Sequence, residues 1–322
     1  MGIMNRLQEF HGLPVFDFPA SVEDPQDAAG LPTPESVAWR ISVMNPYEGD
    51  DWEVVFGRFL AAVDTSQVRA LIVGCWGDPA DGPEEAIKLL VAAHDRLPAL
   101  RALFLGDITE DLCQISHIIQ GEVTPLLDAF TELEEFGVRG QEELSFPAVR
   151  HERLRKLVMQ TSAMPVEVVR GVAASDLPAL EHLELWLGAS EWGGHYEVAD
   201  LAPILAGTRL PALKHLALRN SELQDDICKA LATAPIVARL DELDLSMGEL
   251  TDDGVTALVA AGQSFTHLKS LDLSHNFLST GMRTYLKELP EWTRIHINTD
   301  PDDAVLYVSL DGVLRRFIKV DE

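Results

Sequence analysis

Apolar residues recur along this chain in a fixed short spacing, L-x-x-L-x-L, with other aliphatic or aromatic residues standing in for some leucines. The spacing begins at Val68 (with Leu71 and Val73), Leu100 (Leu103, Leu105), Leu133 (Phe136, Val138), Leu154 (Leu157, Met159) and Leu180 (Leu183, Leu185). It continues at Leu213 (Leu216, Leu218), Leu240 (Leu243, Leu245), Leu268 (Leu271, Leu273) and Trp292 (Ile295, Ile297). Successive starts lie 32, 33, 21, 26, 33, 27, 28 and 24 residues apart. The two-residue alternation within L-x-L predicts a short strand with its leucines on one face. Between strands the apolar residues fall at helical intervals: Thr251 is a polar N-cap ahead of Val255, Leu258 and Val259, and Leu223 to Leu231 and Pro203 to Ala206 repeat the theme. One strand and one helix cannot bury their own apolar face, so neighbouring units must stack with their strands parallel.

The stretch Leu268-Lys-Ser-Leu271-Asp-Leu273-Ser-His-Asn276-Phe-Leu278 matches the leucine-rich-repeat consensus position for position. The predicted fold class is therefore α/β, a leucine-rich-repeat solenoid (horseshoe) with a parallel β-sheet on the concave face and helices on the convex face. A strand and a helix in every repeat resemble the ribonuclease-inhibitor-like class. Residues 1–66 are expected to form an N-terminal capping region. It combines an irregular start around Gly12 to Pro19, an extra strand at Ala38 to Val43 and a helix from Trp52 to Val63. About nine repeats are expected over residues 67–299. Residues 300–322 hold two β-prone runs split by Asp311-Gly312, the signature of a hairpin with a type I′ turn, and are expected to cap the other end.

Composition narrows the function classes. Apolar residues make up 47% of the 322 positions, enough for a continuous core. No charged-then-apolar leader opens the chain and no apolar run reaches the roughly 18 residues of a membrane span, so a cytoplasmic protein is expected. The net charge of −27 argues against nucleic acid and anionic membranes as partners, favours a monomer, and suits recognition of a basic protein or peptide. Cys75, Cys113 and Cys228 are too few and too scattered for disulfides or a zinc site, and are expected to be reduced core thiols. No phosphate-binding loop, dinucleotide fingerprint, nucleophile elbow or metalloprotease motif occurs. No catalytic residue, metal or cofactor is assigned, and the chain is not expected to be an enzyme.

On a solenoid the default binding surface is the outward-facing set of strand positions, the third, fifth and seventh of each repeat. The first two repeats supply Ala70, Ile72, Gly74, Ala102, Phe104 and Gly106, an apolar stretch to be covered by the N-terminal region or by an apolar ligand. Later repeats supply the candidate concave-face residues His182, Glu184, Trp186, His215, Arg219, Glu242, Asp244 and Asp272. Exposed Trp and Arg are the residue types enriched at binding hot spots. Because adjacent strands lie about 4.8 Å apart, His182 should neighbour His215, Trp186 should neighbour Arg219, and Asp244 should neighbour Asp272. The alternative use of this His/Glu/Asp cluster is a metal-dependent or enzymatic site; the plain alternative is a solvated consensus position. A second candidate is the rim loop carrying Trp192, His195 and Tyr196 around a Gly-Gly pair, where loops project from strand ends; the plain alternative is that Trp192 and Tyr196 pack onto neighbouring loops as a satellite core.

The runs Asp176-Leu-Pro-Ala-Leu180-Glu-His-Leu-Glu-Leu-Trp-Leu-Gly188, Asp200-Leu-Ala-Pro-Ile-Leu-Ala-Gly207 and Leu216-Ala-Leu-Arg-Asn-Ser-Glu-Leu223 resemble a bacterial family of cytoplasmic leucine-rich-repeat proteins. The resemblance extends over most of the chain and carries no activity or catalytic residue with it. It implies gene neighbours resembling ATP-grasp and radical-SAM enzymes, and so an adaptor or scaffold for an enzyme system. A non-catalytic module that binds a protein or peptide is the expectation.

Overall fold

The computed structural model describes residues 5–19, 30–43, 50–301, 307–308, 314–316 and 318–320. The chain forms two compact units, Met1–Val158 and Met159–Glu322.

In the first unit β1 (Glu9–Phe10) turns back antiparallel onto β2 (Leu13–Asp17). Parallel strands follow in sequence order: β3 (Ala38–Val43), β4 (Ala70–Trp76), β5 (Ala102–Leu105) and β6 (Glu135–Arg139), with β7 (Lys156–Gln160) at the boundary. The register aligns like with like: Leu71 pairs Leu103, and Leu103 pairs Phe136. Helices α1 (Trp52–Ala62), α2 (Glu84–Ala92) and α3 (Thr124–Ala129) connect these strands. The irregular start expected near Gly12 is instead the β1–β2 hairpin. Its turn uses His11 (φ 53°) and Gly12 (φ 70°), the left-handed backbone that two-residue hairpin turns need.

In the second unit β8 (His182–Gly188), β9 (His215–Ser221), β10 (Glu242–Asp244), β11 (Ser270–Asp272) and β12 (His296–Asn298) run parallel in sequence order. Helices α4 (Val166–Ala174), α5 (Ala202–Ala206), α6 (Gln224–Leu231), α7 (Asp252–Ala260) and α8 (Thr280–Glu288) accompany them. Thr251 caps α7 as its position predicts, its side chain accepting the Asp253 N–H. Leu183, Leu216, Leu243, Leu271 and Ile297 stack in one register row. The inward leucines at 183, 185, 216, 218, 243, 245, 271 and 273 are all at most 1% exposed.

Asn276 shows why the consensus wants an asparagine after the strand. Its amide donates to the carbonyls of Leu245 (2.9 Å) and Leu273 (3.1 Å) and accepts the N–H groups of Gly248 and Leu250 at 3.1 Å each. Those backbone groups leave the strand inside the core, where an unmet partner costs about 1–3 kcal/mol apiece.

Two expectations need correction. Not every repeat holds a helix: residues 140–155, between β6 and β7, form none, because 21 residues between starts leave no length for one. Cys75 and Cys228 are buried, but Cys113 is only half-buried and does not belong to the core. Strands β13 (Tyr307–Val308) and β14 (Leu314–Arg315) pair antiparallel; the Asp311-Gly312 turn expected between them lies outside the described residues.

Candidate functional site

The outward positions of β8 to β11 come together on the open face of the second unit. Alternation delivers them: the leucines fill the core, so the residues between them face the other way. Arg219, on β9, sits at the centre. Its guanidinium donates to Glu184 Oε1 at 3.0 Å and to Ser246 Oγ at 3.0 Å, and its Nε lies 3.3 Å from Asp244 Oδ2. It also stacks over the Trp186 ring at 5.5 Å. Glu184 accepts the Trp186 indole N–H at 2.7 Å, and its second oxygen lies 3.5 Å from His182 Nε2. The His182 and His215 rings stand 3.9 Å apart, as their shared register requires, and His215 Nδ1 is 3.0 Å from Glu242 Oε2.

Charge follows from these contacts. Burial alone would raise the Glu184 carboxyl, but the nearby His182 imidazole, the Arg219 charge and the Trp186 indole together hold it down to about 2. Asp244 is pushed up, chiefly by burial and with Asp272 alongside, against the pull of Arg219 and Ser246. Asp244 and Asp272 share one local arrangement: each accepts the backbone N–H of the serine two residues on, at 2.9 and 2.8 Å. The repeated Asp-Leu-Ser thus ties each aspartate to the end of its own strand. Beyond Arg219 a cavity of about 240 Å³ opens between His215, Glu242, Asp244, Asp272, His296 and Asn298. Three carboxyl groups and two imidazoles line it.

One concave-face candidate departs from expectation, and the rim loop takes the packed alternative at Tyr196. Trp186 does lie beside Arg219, but it is only 2% exposed and no surface anchor; Glu184 and Arg219 hold it flat. Tyr196, on the rim loop, is buried and its hydroxyl bonds Ser221, so it packs inward as a small satellite core. Trp192 is half-buried in a short turn of helix (Ser190–Trp192), and His195 alone of the three is exposed. Among the described residues no group of three or more His, Cys, Asp or Glu is disposed to hold a metal ion.

The sequence reading missed a buried ionic cluster in the first unit. Asp107, fully buried, lies 2.8 Å from Arg40 Nη2 and 3.4 Å from Arg139 Nη1, and both arginine side chains are 3% exposed. Arg139 stands at the seventh, outward position of its repeat, yet it is not on open surface. Burial depresses its basicity, Asp107 restores part of it, and neighbouring Arg40 lowers it again. The available signal was two arginines, Arg40 and Arg139, at outward positions among small and apolar residues, which demand a counter-charge.

Repeats that each contribute a parallel strand, an inward leucine row and a following helix or turn define a leucine-rich-repeat fold, and this chain has it. A family model described as leucine-rich repeat matches residues 240–259 and 266–279. A crystal structure of a protein from Bacteroides fragilis is similar over 89% of this chain and 78% of its own, at 23% identity and a TM-score of 0.74. An internalin of Listeria monocytogenes is similar over 74% of this chain and 68% of its own, at 13% identity and a TM-score of 0.37. No curated protein matches the chain. No helix among the described residues is long and apolar enough to cross a membrane.

Proposed function

We propose that the chain is a non-catalytic binding module whose second unit takes up a basic segment of a partner protein or peptide, as an adaptor or scaffold for an enzyme system. The observation that carries this reading is the cavity beside Arg219. Glu242 and Asp244 on β10 and Asp272 on β11 line it, while Arg219 is already engaged with Glu184 and Asp244. A lysine or arginine side chain entering there meets Asp272, held by the neutral Ser274 and Asn298, and Glu242 beside His215, while Asp244 is shared with Arg219. The overall charge of −27 adds long-range attraction for such a partner, which raises association rate more than affinity.

An array of twelve-residue peptides of graded charge tests the reading. Peptides rich in Arg or Lys should be retained at low salt and released as salt rises. Retention should fall about tenfold or more in Glu242→Lys and Asp272→Asn, and stay unchanged in Asp226→Lys on helix α6. Equal retention of acidic and basic peptides, or loss only in the α6 variant, overturns it.

A further inference from the structure

On the open face of the first unit, residues 5–10 lie where a partner peptide would. Ala38, Ala70 and Ala102 form one register row across β3, β4 and β5, with Ile72 and Phe104 in the next. These small side chains leave a depression that Phe10 fills; it is 6% exposed and meets Phe104 edge-on at 6.0 Å between ring centroids. Leu7 packs on the same cluster three residues earlier.

The Arg6 side chain donates to Ser42 Oγ at 3.5 Å and lies 3.9 Å from Asp17, but the contacts of this segment with the buried ionic cluster are made through its backbone. The Leu7 N–H donates to both oxygens of Asp107, at 3.2 and 3.3 Å, and the Leu7 carbonyl accepts from the Arg40 guanidinium. The Asn5 carbonyl accepts from Arg139 Nη1 and Nη2 at 3.4 Å each. Three nearly dry charged groups therefore read main-chain N–H and C=O, which any extended peptide offers. Specificity is left to the apolar residue and to the aromatic in the alanine-floored depression. The segment enters through the His11-Gly12 turn, held in left-handed backbone at both residues.

We propose that this face is a peptide-binding groove occupied in cis by residues 5–10. Its partner is an extended peptide of another protein with an aliphatic residue three positions before an aromatic one. The tethered segment competes at the high effective concentration of an intramolecular ligand, so the partner binds only as that segment lifts off. This proposal is independent of the reading of the second unit, and either can fail alone.

The test uses the full chain and a fluorescein-labelled synthetic peptide of residues 5–13, read by anisotropy. Phe10→Ala empties the depression, while Gly12→Val strains the turn without a clash, since a Cβ there meets nothing within 4 Å. Both variants should bind the peptide at least tenfold more tightly than the wild type does, and a peptide with alanine in place of phenylalanine should not bind. Folded variants that ignore the peptide overturn the proposal, as do variants that become dimers by exchanging the segment. Amide exchange on the wild type decides the matter if both variants misfold. The Leu7 N–H should then exchange by local opening, well before that of Leu103; exchange of both together would make the segment a permanent part of the core.

Discussion

Glu184→Gln isolates what the charge on the open face of the second unit contributes. Glutamine keeps the shape of the side chain and one oxygen that can still accept from Arg219, 3.0 Å away, but carries no charge to balance it. Glu184 is held at about 2 against the usual 4.5, and its side chain is 14% exposed, so little of the effect is lost to solvent. At about 1.4 kcal/mol per tenfold change in proton affinity, the ionised form is favoured by about 3 kcal/mol in the fold. The sign follows from the depressed value: the contribution is complete above pH 4.5 and disappears as pH falls towards 2. Urea unfolding followed by indole fluorescence should show Glu184→Gln less stable than wild type by about 3 kcal/mol at pH 7. The gap should shrink steadily below pH 4.5. A gap of the same size at pH 7 and at pH 2.5 would mean that shape, and not charge, fixes this residue, and the electrostatic account of the cluster would be wrong.

Truncation of the core by Leu245→Ala, at a position with no exposure, should cost about 2–5 kcal/mol in the same assay; a loss below 1 kcal/mol would contradict the inward row. Glu249 is pushed up to about 7 by burial and by neighbouring Glu222, against the pull of Arg316. A raised carboxyl costs stability as pH climbs from 4.5 to 7, so Glu249→Gln should match wild type at pH 4. At pH 8 it should exceed it by about 1–2 kcal/mol, discounted for partial exposure; no gain at pH 8 refutes the assignment. Asn220 donates to the Val320 carbonyl at 2.7 Å and accepts its N–H at 2.9 Å, from a left-handed backbone of φ 55°. Asn220→Ala should lower stability by about 1–3 kcal/mol and speed amide exchange at Val320; unchanged exchange would show that the tail is held elsewhere.

The leucine rows were legible because each inward position is decided locally. Two residues along a strand is one turn of the pleat, so Leu243 and Leu245 must share a face whatever surrounds them. Helix α7 was legible for the same reason, since Thr251 and the spacing of Val255, Leu258 and Val259 lie within a few residues of one another. The N-terminal hairpin was not. Strand β1 is only Glu9–Phe10, too short to show any alternation, and its turn residues, His11 and Gly12, do not form the usual Asn-Gly signal. Trp186 failed differently. Alternation gives the direction of a side chain and says nothing of what covers it; Glu184, two residues away, and Arg219, one strand over, cover the indole.

Arg139 and Arg219 make the point sharper, since both stand at the seventh position of their repeats. In the first unit Ala38, Ala70 and Ala102 stand at outward positions of β3, β4 and β5, and Gly137, on Arg139's own strand, makes room for the Phe104 ring, so a backbone can lie close to the sheet. Arg139 is then sealed in by the chain itself, bonding Asp107, the Ile108 carbonyl and the Asn5 carbonyl. In the second unit the equivalent strands carry Glu184, Asp244 and Ser246. These reach Arg219 directly and leave it 23% exposed at the edge of an acidic cavity. The repeat spacing therefore fixes which face an arginine occupies, while the size and charge of its outward neighbours decide what it binds. Small apolar neighbours make a bed for main chain, and carboxylate neighbours make, on the function proposed above, a seat for a partner's cation.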